Sequence, residues 1–502
     1  MAVYQDIAKS YRSILTPGWE QALLRDEGHA LPGTIGRRRP AWGAGGRGEE
    51  EDDEHEPLIE GANKVSPAAG LEGLYDSYEN GDETDGYGGY GGDAHGIGGG
   101  EGKSTFGQSV FNSSNVLMGI GLLSLPFALK LSGWVLGIGQ LLLYSASTNY
   151  TARILARCLD YDPKMATYAD VGEAAFGIRG RIFISVLFIL ELLTACISLV
   201  ILVADSLVAL FPWMVLEWVK VCTFMMVFPL TLGKGLGWLA GGSVVGVLAI
   251  LNLMVIIVVD GFWKGDAPGS LWEPAETTMW PRKWMDVPLT FGLIMAGFSG
   301  HSVFPSIYRD MAEPEGYPAM VSVSYAITSF FYVGIAARLG YLMFGQGTVQ
   351  EITVNIASIL TYPTIINKIT IWLMIVNPIT KYPLNAAAIN LNFEVLILPR
   401  LAEEGWPMWT ISFAQFLIRL TVSLVVLFVS IVYPGFHNVL AILGSFFSFT
   451  VCVVFPLSCY LVLYRETIQP LERIFVWTLI VIGSVLGLVG TVWAFLPGIG
   501  QD

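Results

Sequence analysis

Phe106-Gly-Gln-Ser-Val-Phe-Asn-Ser-Ser-Asn115-Val-Leu-Met-Gly119-Ile-Gly121-Leu-Leu-Ser-Leu-Pro126-Phe-Ala-Leu129 is long and apolar enough to cross a bilayer, yet its middle is built to break a helix. A hydrocarbon core of roughly 30 Å needs about 20 apolar residues per helix. Each Gly weakens a helix by about 1 kcal/mol and Pro by about 3 kcal/mol relative to Ala. In hydrocarbon, the freed backbone groups add several kcal/mol unless they are buried in protein or line a cavity. An interruption at mid-membrane depth therefore needs a reason.

The same pattern returns in Phe291-Gly-Leu-Ile-Met-Ala-Gly297-Phe-Ser299-Gly300-His301-Ser-Val-Phe-Pro305. Its middle is again rich in Gly, polar, and followed by Pro. Eleven apolar segments can be counted: 106–130, 133–158, 181–210, 214–232, 238–260, 287–309, 318–344, 362–392, 408–432, 436–464 and 472–496. The two broken segments are the first and the sixth. They correspond if spans 1–5 and 6–10 are inverted halves, and such a pair is the best sequence pointer to the central site of a transporter. The expectation is an all-α polytopic membrane protein of eleven transmembrane helices, an inverted 5+5 repeat with helices 1 and 6 broken plus one extra helix.

Half-helix N-termini present N–H groups and positive dipole ends to a carboxylate, while unwound carbonyls receive an ammonium. An amino acid zwitterion needs both. Met118, Gly119, Ile120 and Gly121 of the first break, with Gly297, Phe298, Ser299 and Gly300 of the second, are thus candidates to hold its charged ends, and Asn115 adds a side-chain amide. The alternative is that these glycines only permit close helix packing, as small residues do in many membrane bundles.

Composition agrees with a membrane protein. The chain is 53% apolar and 14% charged, against about a quarter charged in a soluble domain. The net charge of −14 is concentrated before Thr105, where about 20 of the 42 acids and 9 of the 28 basic residues lie. The acidic balance therefore describes a tail and says little about partners of the body. No basic face suggests nucleic acid. Residues 1–104 are expected to be a disordered acidic cytosolic tail, with too little apolar surface to offset chain entropy, and residues 105–502 the transporter domain. A short amphipathic helix over Tyr4–Leu24 stays open. The start shows Asp6, Lys9 and Arg12 without an apolar run, so no cleavable signal peptide is expected.

Within the tail, Glu54 stands four residues before Leu58-Ile59, the pattern of an acidic dileucine sorting signal read by adaptor proteins on the way to lysosome-like compartments. A chance match in an acid-rich stretch is the plainer alternative. Basic residues Lys164, Arg179, Lys234, Arg309, Arg400, Arg465 and Arg473 fall in alternate loops, which places the N-terminus in the cytosol and the C-terminus on the opposite side. The Trp-rich 261–286 loop, with Lys264, Arg282 and Lys283, reads as an interfacial cap on the non-cytosolic side.

Charges inside spans are costly, by roughly 2.5–3.5 kcal/mol on insertion scales, and mark function by default. Glu191 shares a helical face with Thr194 and Ser198 and is a candidate proton carrier, with a neutral, hydrogen-bonded structural Glu as the alternative. His301, beside the second break, has an unperturbed pKa near 6.5 and could titrate between two compartments. A satisfied packing histidine is its plainer reading. Arg338 and Arg419 are expected to pair or snorkel, and Asp205 to be solvated near a span end. Cys158, Cys196, Cys222, Cys452 and Cys459 show no paired spacing, so neither a disulfide framework nor a metal site is indicated. No P-loop, HExxH or Ser/His/Asp order points to ATP-driven pumping or to an enzyme, and no cofactor is implied.

Four segments carry a family likeness: Asn112–Pro126, Gly300–Met311, Asn377-Pro378-Ile-Thr380-Lys381-Tyr-Pro383, and Pro434–Ser445. Together they resemble the amino acid/auxin permease family, within the amino acid–polyamine–organocation transporter fold, and most of all its fungal vacuolar neutral amino acid transporters and vesicular inhibitory amino acid transporters. The resemblance runs from about Thr105 to Pro497 and leaves the tail uncovered. It implies an eleven-helix protein exchanging protons for neutral amino acids at an acidified vacuolar, lysosome-like membrane, with the C-terminus lumenal. In sodium-coupled proteins of this fold the helix-one break and span eight help hold the cation, so Lys381, after an expected Asn377-Pro378 break, could substitute for that ion. Snorkelling of its amine to the cytosolic interface is the alternative. The expected partners are neutral amino acids, protons, the lipid bilayer and sorting adaptors. Two rival functions remain: a transceptor that signals through the tail with little transport, and a channel.

Overall fold

The computed structural model describes residues 104–233, 237–359, 361–433 and 435–500. The acidic tail, the Tyr4–Leu24 segment and the sorting candidates Glu54, Leu58 and Ile59 lie outside them. Among the described residues the chain is helical, with one isolated bridge, Ser104–Met311, and no strand.

Helix α1 (Phe106–Leu117) begins at Thr105, whose hydroxyl accepts from the Gln108 N–H while the Gln108 side chain accepts from the Thr105 N–H. This reciprocal cap satisfies two donors that a helix start leaves orphaned. A 3₁₀ turn (Ile120–Ser124) separates α1 from α2 (Leu125–Leu159). Helix α2 bends sharply at Gly133 (φ 71°), where an added Cβ would come within 2.7 Å of the Met279 carbonyl oxygen. That bend falls where the sequence separates its first and second segments. Helix α3 (Tyr168–Leu210) bends likewise at Gly177 and is followed by α4 (Leu216–Thr231) and α5 (Gly237–Trp263).

The second half starts with α6 (Val287–Met295), a 3₁₀ turn (Ala296–Phe298) and α7 (Phe304–Asp310). Helix α8 (Tyr317–Ser329) runs through a π-helical stretch (Phe330–Ala337) into α9 (Arg338–Phe344). Short α10 (Ile352–Ser358) precedes α11 (Thr364–Glu403) and α12 (Met408–Val432). Helix α13 (Phe436–Ile442) passes through two π-helical stretches into α14 (Phe455–Leu463), and α15 (Pro470–Ala494) follows.

Seven helical runs among the described residues are long and apolar enough to cross a membrane, and Trp284–Phe298 is a shorter apolar one. The apolar windows of α12 and α15 are only 28% buried, whereas that of the α13–α14 run is 78% buried. Thus α12 and α15 form the periphery, and Leu471, Val481 and Phe428 face outward as lipid-contacting side chains do.

Loop contacts define two ends. At one, Arg309 donates to the carbonyls of Leu159 (2.8 Å) and Met165 (3.0 Å), and Tyr308 to Asp160 (2.7 Å). At the other, the Trp-rich loop closes over the α2 bend: the N–H groups of Trp134 and Val135 donate to Thr278 and Met279 carbonyls. Trp272, Trp280 and Trp284 of that loop are exposed, as a cap meeting an interface would leave them.

Three expectations need revision or refinement. Helix α11 is not broken at Asn377-Pro378: it continues through Pro378 and Pro383. Asp205 is half-buried near its span end, and its carboxyl meets that of Glu351. Arg419 pairs with Glu394 (2.8 Å) and donates to the Thr231 carbonyl (2.9 Å), whereas the Arg338 side chain is exposed.

Candidate functional site

The two interruptions meet. Helix α1 leaves helical geometry at Met118, Gly119 is extended (φ −98°, ψ −158°), and the 3₁₀ turn carries Ile120 and Gly121. In the second segment Gly297 and Phe298 stay in a 3₁₀ turn. The extended residue is Ser299 (φ −75°, ψ 116°), and regular α-helix resumes only at Phe304. The second interruption therefore spans Ala296–Val303, which contains Gly297–Gly300 and extends three residues beyond it.

Contact between the segments explains part of the glycine content. A Cβ on Gly121 would stand 2.7 Å from the Gly297 backbone nitrogen, and one on Gly297 would stand 2.8 Å from Cε2 of Tyr332. Both glycines are needed for close approach, so the packing explanation holds at these two positions. Gly119 differs. A Cβ there would meet only the Leu117 carbonyl oxygen, at 4.0 Å, and otherwise open space. The Gly119 N–H already donates to the Leu117 carbonyl (2.8 Å) and its carbonyl accepts from the Leu122 N–H (3.4 Å), so the N–H groups of Ile120 and Gly121, for which the 3₁₀ turn itself offers no acceptor, are the part of the break left to address a ligand.

Tyr332 locks the pair together. From the π-helical stretch its hydroxyl approaches the Leu117 carbonyl at 2.7 Å and the Gly297 carbonyl at 2.9 Å, with one proton to share between them. Its ring packs edge-on against Phe298, which also stacks on Tyr325. The Phe298 side chain is thus a core group, and only its backbone is available to a ligand. Met118, Ile120 and Asn115 are half-buried beside the break.

Glu191 reaches this junction from α3: Ser299 Oγ donates to its Oε1 at 2.9 Å. Thr194 and Ser198, on the same helical face, turn instead onto their own backbone, bonding the carbonyls of Leu190 (2.9 Å) and Thr194 (3.1 Å). His301 is wholly buried, and its Nε2 pairs with Thr151 Oγ1 of α2 at 2.9 Å. The structure therefore joins Glu191 to the second break and ties His301 into helix packing. Lys381 lies on α11 against α5, its Cε 3.3 Å from where a Gly246 Cβ would stand, beside the buried Asn377 side chain.

Sequence reasoning missed Tyr332 and Thr151. A lone Tyr in Phe330-Phe331-Tyr332-Val333-Gly334 does carry one polar atom into an apolar span, which is a signal, but its two acceptors lie 215 and 35 residues away in sequence.

A family model described as "Transmembrane amino acid transporter protein" matches residues 102–496. The chain is 33% identical over 398 residues to Amino acid transporter AVT1C of Arabidopsis thaliana, covering 77% of this chain and 69% of that one. It is 23% identical over 451 residues to the Vesicular GABA transporter of Caenorhabditis elegans, covering 86% and 88%. Among solved structures, a Na⁺-coupled sialic acid symporter aligns over 77% of this chain and 89% of its own, with 15% identity and a TM-score of 0.47. The chain belongs to the transmembrane amino acid transporter family, and it moves amino acids across a membrane rather than catalysing a reaction.

Proposed function

We propose that the protein is a proton-coupled secondary transporter, an antiporter of neutral amino acids at a vacuolar, lysosome-like membrane. In this reading it has eleven spans, with the first five and the next five as inverted halves, a cytosolic N-terminus and a lumenal C-terminus. The substrate zwitterion sits at the junction of the breaks, its charged ends held by backbone of Met118–Gly121 and Ser299–Gly300 with the Asn115 amide nearby.

The observation that carries the coupling is the 2.9 Å bond from Ser299 to Glu191. An ionised Glu191 accepts from Ser299. A protonated one can turn its own O–H outward to another acceptor, so a proton on Glu191 changes the geometry of the segment that holds substrate. Carboxylates inside membrane bundles mark proton relays for this reason. His301, fixed on Thr151, acts by positioning the break against α2. The relatives named as an amino acid transporter and a GABA transporter fit a substrate carrying both an amine and a carboxylate.

The test is amino acid flux in vesicles with an imposed pH gradient. Collapsing the gradient with a protonophore is expected to abolish concentrative flux and leave one-for-one exchange intact. Glu191→Gln should exchange at near wild-type rates yet ignore the gradient. Wild-type flux that is indifferent to collapse overturns the coupling.

A further inference from the structure

At the end of the bundle capped by the Trp-rich loop, α10 packs against α3, α11 and the 3₁₀ turn of the first break. Through that turn it lies beside the junction of the two breaks. Its apolar face is buried, with Ile352 at 1% and Ile356 at 2% exposure. Asn355 closes the preceding loop on itself, accepting from the Val349 N–H (2.9 Å) and donating to the Gly347 carbonyl (3.0 Å). These bonds tie α10 to residues 347–349.

Glu351 is the residue before this helix and is 2% exposed. Neither of its carboxyl oxygens meets an N–H or O–H donor among the described residues. What it meets is the carboxyl of Asp205, on α3. Two carboxylates are acceptors only and cannot bond each other. Their contact is satisfied when one proton is held between them, as in paired acids generally. We propose that Asp205 and Glu351 form a proton-binding latch that fastens α10 beside the substrate junction and releases it when the proton leaves.

The surroundings assign the proton. Lys220 of α4 is buried, acts on Asp205 and donates its amine to the Ser430 carbonyl at 2.7 Å, which favours ionised Asp205 as acceptor and Glu351 as donor. The other charged or titratable groups nearby are exposed Glu217 beside Lys220, Lys130 of α2 bonded to the Thr348 carbonyl (3.2 Å), exposed Lys368 of α11, and His437 of α13 next to Gln350. No group of three His, Cys, Asp or Glu side chains among the described residues could hold a metal ion, and a lysine already supplies the local positive charge. Burial, then the neighbouring Asp205 carboxyl, pushes Glu351 well above the usual carboxylate range. A raised acid stabilises the latched state at low pH and loses that contribution as pH rises through the raised value. An acidic compartment therefore keeps the cap closed. The latch rests on the transport reading only for which compartment it faces.

The experiment reads cap opening without substrate or flux. A cysteine at Ile356→Cys, in a Cys222→Ser background, is labelled with a membrane-impermeant thiol reagent and normalised to the unfolded chain at the same pH. The Asp205/Glu351 protein should label at least about tenfold faster at neutral than at acidic pH, a shift of ~1.4 kcal/mol in the cap equilibrium. Glu351→Gln donates an amide N–H to Asp205 without a proton and should stay protected at both values. Glu351→Ala should label fast at both. Equal labelling of the parent at the two values, or a Glu351→Gln variant that still switches, overturns the latch even where Glu351→Ala fails to fold. Absent amino acid uptake with the switch intact would instead count against the transport reading alone.

Discussion

Tyr332 holds two backbone carbonyls of two different helices with one hydroxyl. The Leu117 carbonyl also accepts from the Gly119 N–H (2.8 Å), so losing the donor falls mainly on the Gly297 carbonyl and unties the two segments. An orphaned buried acceptor costs about 1–3 kcal/mol. Tyr332→Phe should therefore fold, because the ring still packs on Phe298, but hold substrate at least about tenfold more weakly. Counterflow at graded substrate concentration measures this, and an unchanged half-saturation would show that the junction does not depend on the phenol. The glycines give a paired prediction. Gly121→Ala forces a methyl to 2.7 Å from Gly297 and should lower the unfolding midpoint in detergent, since overpacking costs about 1–3 kcal/mol. Gly119→Ala meets open space, so it should keep that midpoint and raise the half-saturation instead. Loss of stability in both would make packing the whole explanation of the motif.

At the scale of elements, the breaks were legible because Gly and Pro act on the local backbone. Gly119 and Gly121 fall in the interruption itself, Pro126 occupies the first turn of the helix that restarts, and Gly133 turns that helix. Pro378 misled for the same reason read backwards. A proline removes a donor locally, but neighbouring helices decide whether the helix survives, and α11 survives. Glu191 was visible as a charge in an apolar run, whereas its partner Ser299 is 108 residues distant and required the fold. The Asp205–Glu351 contact hid similarly, since each acid stands near a span end where solvation is the ordinary outcome. The Arg419–Glu394 pair shows what such long-range contacts are worth. Both groups are buried and α12 is held to α11 through them, with Gln415 also donating to Glu394 at 2.9 Å. Removing one partner strands a buried charge, at about 3–5 kcal/mol, whereas an apolar pair of similar volume can be neutral. Arg419→Met should sharply destabilise the protein in a detergent melt, and adding Glu394→Leu should restore most of the loss. A double variant as unstable as the single one would mean the pair does more than anchor the helices.

For the whole molecule, charge is divided between a tail that carries most of the net negative charge and a body that is nearly neutral. The boundary is physical as well as compositional. Ser104 donates its N–H to the Asp310 carbonyl at 2.9 Å and accepts from the Ala312 N–H at 3.0 Å, and Thr105 then caps α1. If the body begins at Ser104, a cut ahead of that residue should spare it. A chain starting at Gly100 is expected to exchange amino acids in purified vesicles as the full chain does. One starting at Gln108 loses the Ser104 tether and the Thr105 cap, the cap alone contributing about 1 kcal/mol, and should lose both stability and exchange. If the tail sorts the protein, Leu58→Ala with Ile59→Ala leaves vesicle exchange untouched and moves the intact chain to a different membrane in cells. If the tail signals, the Gly100 start keeps exchange while the amino acid response disappears. Exchange that fails in the Gly100 start would show the tail to be part of the transport machinery, and the division at Ser104 would be wrong.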